Sequence, residues 1–319
     1  MKTKSLFKEY IWIVNTIRKR RKISLNELNE IWLRTEMSEG VDIARNTFLR
    51  HKNSIEEIFG INIECDVHDG YRYYIHNEEV FKENSVQNWM LSTISVSNIL
   101  TENIKLNEQI MLESIPCGGD LLKEVIDAMT QKVRICVTYQ KYGDDKISKV
   151  TFAPYCIRLF QCRWYVLGQF QRPARDGETP IKRKGLPKGY IEYFITYSLD
   201  RIKSIELTRE RFQRDKSFSA TEYFYDCYGI NKREDVPVEK IVIRAFGQQR
   251  YYMRDLPWHH SQIDIKSTDS YSDFEMYLSP TTDFINHIVK YGNYIKVIRP
   301  NKVIDAVKAI HKKALEVYD

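Results

Sequence analysis

Residues 42–75 read DIARNTFLRHKNSIEEIFGINIECDVHDGYRYYI, and two hydrophobic periods meet inside that stretch. Phe48, Ile55 and Phe59 recur at helical spacing, while Arg45, Asn46, Arg50 and Asn53 fall largely on another face. A helix is therefore predicted from near Asp42 to Phe59-Gly60. From Ile61 the period drops to two. Ile61-Asn62-Ile63-Glu64-Cys65 alternates like a strand, Asp69-Gly70 supplies a tight turn, and Tyr71-Arg72-Tyr73-Tyr74-Ile75 returns.

Two more helices precede this stretch. Ser24-Leu25-Asn26-Glu27 is a capping box, with Ser24 as N-cap and Glu27 reaching back, and it opens a helix to about Arg34. Further upstream, Phe7, Ile11, Val14 and Ile17 give an apolar helical face. The run Arg18-Lys19-Arg20-Arg21-Lys22 follows where that helix ends, a place where the helix dipole favours cations. Three helices and then a β-hairpin, over residues 1–80, is the order of a winged helix-turn-helix.

In such a domain the third helix enters the major groove, where Arg pairs with guanine and Asn with adenine. Arg45, Asn46 and Arg50 have that chemistry and spacing. Thr47, His51 and Lys52 are expected to touch phosphates or bases, and Arg72 in the hairpin to reach backbone or minor groove. The competing reading is that these are solvated polar positions. The run Arg18 to Lys22 either adds phosphate contacts or is a solvated helix end. Glu27, Glu30, Glu36 and Glu39 largely offset the basic side chains, so residues 1–80 are not one strongly basic patch.

Toward the C-terminus, residues 81–130 read as a helical linker, broken at Pro116-Cys117-Gly118-Gly119-Asp120 and resumed at 121–129. Strands are predicted at 133–139, 148–153, 156–160, 163–170 and 190–197, with a turn at Tyr142-Gly143-Asp144-Asp145. A long loop, Arg172 to Gly189, carries Lys182, Arg183, Lys184 and Lys188, which either gather anions or are simply mobile. Short strands at regular spacing suggest a small barrel over 131–213. Residues 214–236 read as a polar linker. After Pro237 the order is strand (239–246), helix (248–256), strands (262–267, 272–278), helix (281–291), strand (294–298) and helix (302–317). That is a ferredoxin-like split β-α-β over 237–319. The fold class is α+β.

Phe160-Gln161-Cys162-Arg163-Trp164-Tyr165-Val166-Leu167-Gly168 resembles the signature of WYL-domain proteins, with Val166 at the third position of the Trp-Tyr-Leu triplet. Ile135-Cys136-Val137-Thr138-Tyr139 and Phe152-Ala153-Pro154 match the family's lead-in. Tyr197-Ser198-Leu199-Asp200-Arg201-Ile202 resembles its closing element. Arg45-Asn46-Thr47-Phe48 to Gly60-Ile61 is similar to the winged helix of such regulators, and the last eighty or so residues to their C-terminal extension. The resemblance implies a bacterial transcription regulator, some members guarding phage-defence operons. It also implies an Sm-like β-barrel that senses nucleotide or nucleic-acid ligands. By the same resemblance Tyr139, Arg163, Tyr165 and Arg201 occupy motif positions that line a pocket, with Arg158 added to them. Guanidinium groups would pair with phosphate and tyrosines would stack on bases. Against this, Trp164 suits a core, and Arg201 beside Asp200 suits a structural ion pair.

The totals narrow the function classes. At 319 residues the chain suggests two or three domains, and 43% hydrophobic with 29% charged content is that of a folded protein. A net charge of +6 is compatible with a polyanionic partner without demonstrating one. The cysteines, Cys65, Cys117, Cys136, Cys156, Cys162 and Cys227, form no C-x-x-C pair and have no His at zinc spacing. The brief apolar stretch Tyr10 to Val14 is too short for a signal core or a membrane span. A cytoplasmic setting with mostly buried thiols is expected. No G-x-S-x-G, Walker loop, G-x-G-x-x-G or H-E-x-x-H occurs, and His259-His260 suits packing or surface better than a metal. The expectation is a non-enzymatic regulator without metal or cofactor: a repressor binding a two-fold operator as a homodimer, for a phage-defence or stress operon. The alternative is a nucleic-acid-binding accessory subunit that modulates an effector enzyme.

Overall fold

The computed structural model describes residues 3–81, 85–102, 109, 111, 116–141, 143, 147–180 and 188–319. The predicted turn residues Tyr142, Asp144 and Asp145, and the loop cations Lys182, Arg183 and Lys184, lie outside the described residues. By internal contacts the chain divides into two units, residues 1–113 and 114–319.

In the first unit, α1 (Thr3–Arg20) buries Tyr10, Ile11, Ile13, Val14 and Ile17 as its apolar face. After β1 (Lys22–Ile23), α2 (Leu25–Trp32) starts at the predicted capping box: Ser24 Oγ accepts from Glu27 N–H, and Ser24 N–H donates to Glu27 Oε2 at 2.8 Å. The third helix, α3 (Arg45–Phe59), begins three residues later than the predicted Asp42 and buries Phe48, Ile55 and Phe59. β2 (Ile63–Asp66) and β3 (Arg72–Ile75) pair antiparallel, Ile63 opposite Ile75. The unpredicted β1 pairs with the other edge of β3, giving the order β1-β3-β2. α4 (Val86–Glu102) follows, and its Leu91 is buried in the same core as Ile17, Leu28 and Phe48. The stretch expected as one helical linker therefore divides, because α4 packs into the first core.

The second unit opens on α5 (Leu122–Gln131), whose Val125 and Ala128 pack on a five-stranded sheet. The strands are β4 (Val133–Gln140), β5 (Ile147–Phe160), β6 (Arg163–Pro173), β7 (Tyr190–Ser198) and β8 (Ile202–Arg211), in the order β7-β6-β5-β4-β8. The ends of that order are neighbours in sequence: only the 3-10 turn Leu199–Arg201 joins β7 to β8. Flat, those two edges would stand about 19 Å apart at the usual strand spacing. The four steps from Ser198 to Ile202 span about 14 Å at most. The sheet must curl. β5 is the strand that turns the corner, with a register shift between Pro154 and Cys156, so the two strands predicted at 148–153 and 156–160 are one. β4 alternates along its length, burying Val133, Ile135, Val137 and Tyr139 on one face.

Residues 214–236 are not a free polar linker. Phe218 and Phe212 pack on Tyr155, α6 (Ala220–Tyr223) leads into Phe224, and Phe224 and Cys227 cover Cys156 and Leu167. The few apolar residues that do this are diluted among polar ones, which is why composition reads as linker. Asp283 then accepts the N–H groups of Ile230 at 2.9 Å and Asn231 at 3.0 Å.

The remaining elements are β9 (Glu239–Phe246), α7 (Gln249–Asp255), β10 (Ile263–Ser267), β11 (Tyr271–Leu278), α8 (Thr282–Val289), β12 (Ile295–Arg299) and α9 (Asn301–Leu315). Their sheet has the order β10-β11-β9-β12 and is antiparallel throughout. Ile241, Ile243, Phe274 and Met276 pack with Phe284 and Ile288 of α8. The other face pairs charges, Arg244 with Asp273 at 2.7 Å and Glu275 with both Lys240 and Arg299.

A candidate nucleic-acid interface and ligand site

The first turn of α3 is polar and open. Arg45, Asn46 and Arg50 are exposed, Thr47 and Lys52 half-buried. Neither Arg45 nor Arg50 makes an ion pair among the described residues; Arg50 Nη2 lies 3.5 Å from Thr47 Oγ1. Residues 41–44 lead into this turn as extended chain, and α2 ties them down. Ile43 N–H donates to Asn29 Oδ1 at 2.9 Å, Asn29 Nδ2 donates to Ile43 O at 3.2 Å, and Trp32 Nε1 donates to Val41 O at 2.9 Å. The origin of α3 is thereby fixed to α2 although twelve residues separate the helices. The capping box signals where α2 starts; nothing in the local pattern signals that Asn29 reaches Ile43.

His51 is a correction. It is 5% exposed, with Nε2 3.2 Å from Glu9 Oε2 and its ring edge-on to Tyr10 at 5.1 Å. Three residues from Phe48 and four from Ile55, it lies on the buried stripe of α3, so it packs in the core and cannot face DNA. Burial holds its imidazole below the usual histidine range, against the opposing pull of Glu9. The hairpin is less basic than expected. Arg72 Nη2 donates to Glu27 Oε1 at 2.9 Å, and Lys22 binds Asp66 at 2.8 Å and Asp69 at 3.4 Å. Arg18, from the same basic run, lies 4.4 Å over the Phe81 ring.

In the second unit the motif strand β6 alternates. Val166 faces the core beside Ile135 and Phe152, with Trp164 packed against it, so Arg163, Tyr165 and Leu167 take the other face. Tyr165 pairs across β5 with Arg158 and across β7 with Ser198. Arg163 Nε stands 3.7 Å from Asp200 Oδ2, and the Ser198 hydroxyl donates to Asp200 Oδ1. Burial raises the Tyr165 phenol above its ordinary range, with Arg163, Asp200 and Arg201 all close enough to act on it electrostatically. Four of the five expected ligand residues are thus gathered: Arg158, Arg163, Tyr165 and Arg201.

Arg158 is the most telling of them. Its guanidinium lies 4.4 Å over the Phe224 ring, and no carboxylate pairs with it among the described residues. Burial lowers its pKa from the free arginine value. A half-buried guanidinium held by an aromatic ring suits an anion. Tyr139 is a second correction. It is buried on the core face of β4, edge-on to Tyr197 at 4.9 Å, because strand alternation places it with Val137 and Ile135. Phe224 and Asp200 belong to this site and were not anticipated. The cysteines also differ from expectation: only Cys156 and Cys227 are buried, while Cys117 and Cys162 are exposed. His259 packs, its Nε2 2.9 Å from Tyr225 O.

Residues 120–207 match the family description "WYL domain". The chain carries a WYL domain. The match takes in α5, most of the curled sheet, and all of Arg158, Arg163, Tyr165 and Arg201. No curated protein matches the chain. Among solved structures it is similar to "Proteasome accessory factor B/C (PafBC) of Arthrobacter aurescens", at 17% identity and TM-score 0.29, over 92% of this chain and 46% of that one. It therefore spans about half the length of that protein. It is also similar to a CRISPR Cas-related protein, at 9% identity and TM-score 0.40, over 98% of this chain and 84% of that one. No helix among the described residues is long and apolar enough to cross a membrane.

Proposed function

We propose that the chain is a DNA-binding transcriptional regulator whose WYL domain senses an anionic ligand of nucleotide or nucleic-acid type. In this reading residues 1–80 act as a winged helix-turn-helix, the curled sheet as an Sm-like barrel, and residues 237–319 as a ferredoxin-like domain. The observation that carries it is the first turn of α3. Arg45, Asn46 and Arg50 stand exposed on a helix whose origin is clamped to the preceding helix. Side chains that read base edges need such a rigid platform, since a bidentate pair fails when its donors are misplaced. Arg158, Arg163, Tyr165 and Arg201 support ligand sensing, through cation and aromatic chemistry suited to phosphate and base.

The regulator acts as a cytoplasmic, non-enzymatic repressor of a defence or stress operon, and as a homodimer, because one small reading head buries little surface and paired half-sites supply the missing affinity. The deciding experiment is a gel-shift titration on duplex from the gene's own upstream region, with scrambled competitor at near-physiological salt. A discrete complex that survives competitor supports operator reading. Binding that vanishes with competitor or modest salt leaves only phosphate attraction and overturns it. A protein that stays monomeric at micromolar concentration, with and without operator, overturns the dimer.

A further inference from the structure

Two exposed cysteines, far apart in sequence, meet at the surface of the second unit. Cys117 N–H donates to Cys162 O at 3.0 Å, and Trp164 N–H donates to Cys117 O at 3.1 Å, a parallel bridge between Cys117 and Arg163. Both cysteines are exposed and in the thiol form. Bridged chains run about 4.8 Å apart, and a strand advances about 3.3 Å per residue. Cys162 directly precedes Arg163, so its Cα stands roughly 6 Å from that of Cys117. A disulfide joins residues whose Cα atoms are about 4.4–6.8 Å apart.

The position of Cys162 is unusual in a second way. Phe160 pairs with Arg163, so Gln161 and Cys162 form a two-residue hairpin turn, at φ +46 and +55. Positive φ at both positions is the type I′ turn, which favours Asn-Gly. Gln161 has a role there, since its side chain hydrogen-bonds the Tyr228 phenol. Cys162 stands where glycine would be least strained. Its left-handed conformation also takes it out of the strand alternation that would set it on the face opposite Cys117. The other thiols are placed differently. Cys156 and Cys227 are buried with Leu167 and Phe224, and burial pushes the Cys156 thiol up to about 11. Cys136 pairs with Thr151 and Glu206 on its neighbouring strands, and Cys65 with Tyr73.

We propose that Cys117 and Cys162 form a redox site, a dithiol that hydrogen peroxide closes to a disulfide and a small thiol such as glutathione reopens. One thiolate attacks a peroxide oxygen and the O–O bond breaks. The sulfur becomes a sulfenic acid, and the departing hydroxide takes up a proton as water. The second thiolate attacks that sulfur, the S–S bond forms, and the sulfenic hydroxyl leaves as a second water. Two thiols are oxidised and one peroxide is reduced. Reopening consumes two glutathione thiols, which leave as their own disulfide. The bond closes a ring through α5, β4 and β5, fastening the chain that enters the WYL domain to the tip of the β5–β6 hairpin. Exposed disulfides are the labile ones, as a reversible site requires. The chemistry holds whether or not Arg163 binds an anion.

The test treats the full, reduced chain with equimolar hydrogen peroxide, digests it without reductant and reads the peptides by mass spectrometry. The expected product is one intramolecular cross-link, the Cys117 peptide joined to the Cys162 peptide with loss of two hydrogens, and glutathione should reverse it. Cys65, Cys136, Cys156 and Cys227 should remain open to alkylation after unfolding. Cys162→Gly removes the thiol and eases the turn, so it should fold at least as well as wild type and lose the cross-link. In urea-unfolded chain the same treatment should scatter cross-links among all the cysteines. Cys117 and Cys162 that stay alkylatable, or that oxidise separately to sulfinic acids, overturn the site. A cross-link that runs through another cysteine, or forms only between two molecules, overturns it as well. So does a Cys117–Cys162 product that dominates equally in urea, since the fold would then contribute nothing.

Discussion

Asn29 holds the main chain of Ile43 by both of its polar groups: its Oδ1 accepts from Ile43 N–H at 2.9 Å and its Nδ2 donates to Ile43 O at 3.2 Å. Ile43 is buried, so water cannot replace these bonds cheaply. Asn29→Ala should destabilise the first unit by about 1–3 kcal/mol. Asn29→Asp keeps the acceptor and loses the donor, so it should fall between the two. The urea unfolding midpoint reads both. A wild-type midpoint for Asn29→Ala would mean the clamp contributes nothing.

Binding should separate α3 residues by the face they occupy. Arg45→Ala and Arg50→Ala should each weaken operator binding by about tenfold or more, since a bidentate pair discriminates by about 1–3 kcal/mol. Binding to scrambled duplex should weaken less. His51→Ala, by contrast, should lower stability through lost packing against Tyr10 and leave specificity unchanged. Equal losses on operator and scrambled duplex for Arg45→Ala would reduce that residue to a phosphate contact.

Acid should unfold the protein partly through its buried and half-buried histidines. Burial lowers the pKa of His51, His259 and His287, and Lys290 helps push His287 down to about 4. A folded-state pKa below the unfolded value near 6.5 means the unfolded chain takes up protons first. Stability is therefore full above pH 6.5 and is lost as pH falls toward 4, for His287 by about 3 kcal/mol. His287→Phe, among Trp258, Tyr228 and Tyr291, should flatten this dependence in chemical unfolding measured across that window. An unchanged slope would assign the acid sensitivity elsewhere.

Gly168 is required for steric reasons. A Cβ there would lie 2.5 Å from the ring of Phe152, which is fully buried and stacked on Tyr197 at 5.1 Å. Gly168→Ala should cost about 1–3 kcal/mol by overpacking. Gly119→Ala, into open space, is the control and should be close to neutral. Equal thermal midpoints for the two variants would show that the ring yields.

What was legible in the sequence is what local physics encodes. The capping box Ser24–Glu27 starts α2 as read, because both hydrogen bonds lie within four residues. The stripe of Phe48, Ile55 and Phe59 orients α3, and the strands of the last eighty residues fall where alternation places them. β8 escaped because an edge strand exposes residues such as Lys203, Glu206 and Arg209, and so resembles a loop in composition. Residues 214–236 escaped because three or four apolar side chains suffice to cover a sheet face.

The sequence by itself determined most of the long helices and strands, the α+β class and the chemistry available: arginines and an asparagine on one helix, arginines and tyrosine on a motif strand. Only the tertiary structure decided which of these can act. His51 and Tyr139 went into cores, since one residue along a helix or strand exchanges an open face for a buried one. Arg72 was claimed by Glu27 of α2, and Lys22 by Asp66 and Asp69 of the hairpin. Arg158 acquired Phe224, sixty-six residues away, as the ring its guanidinium lies over. Such pairings depend on how the sheet curls and which segment returns to cover it, and no short window of sequence contains that information.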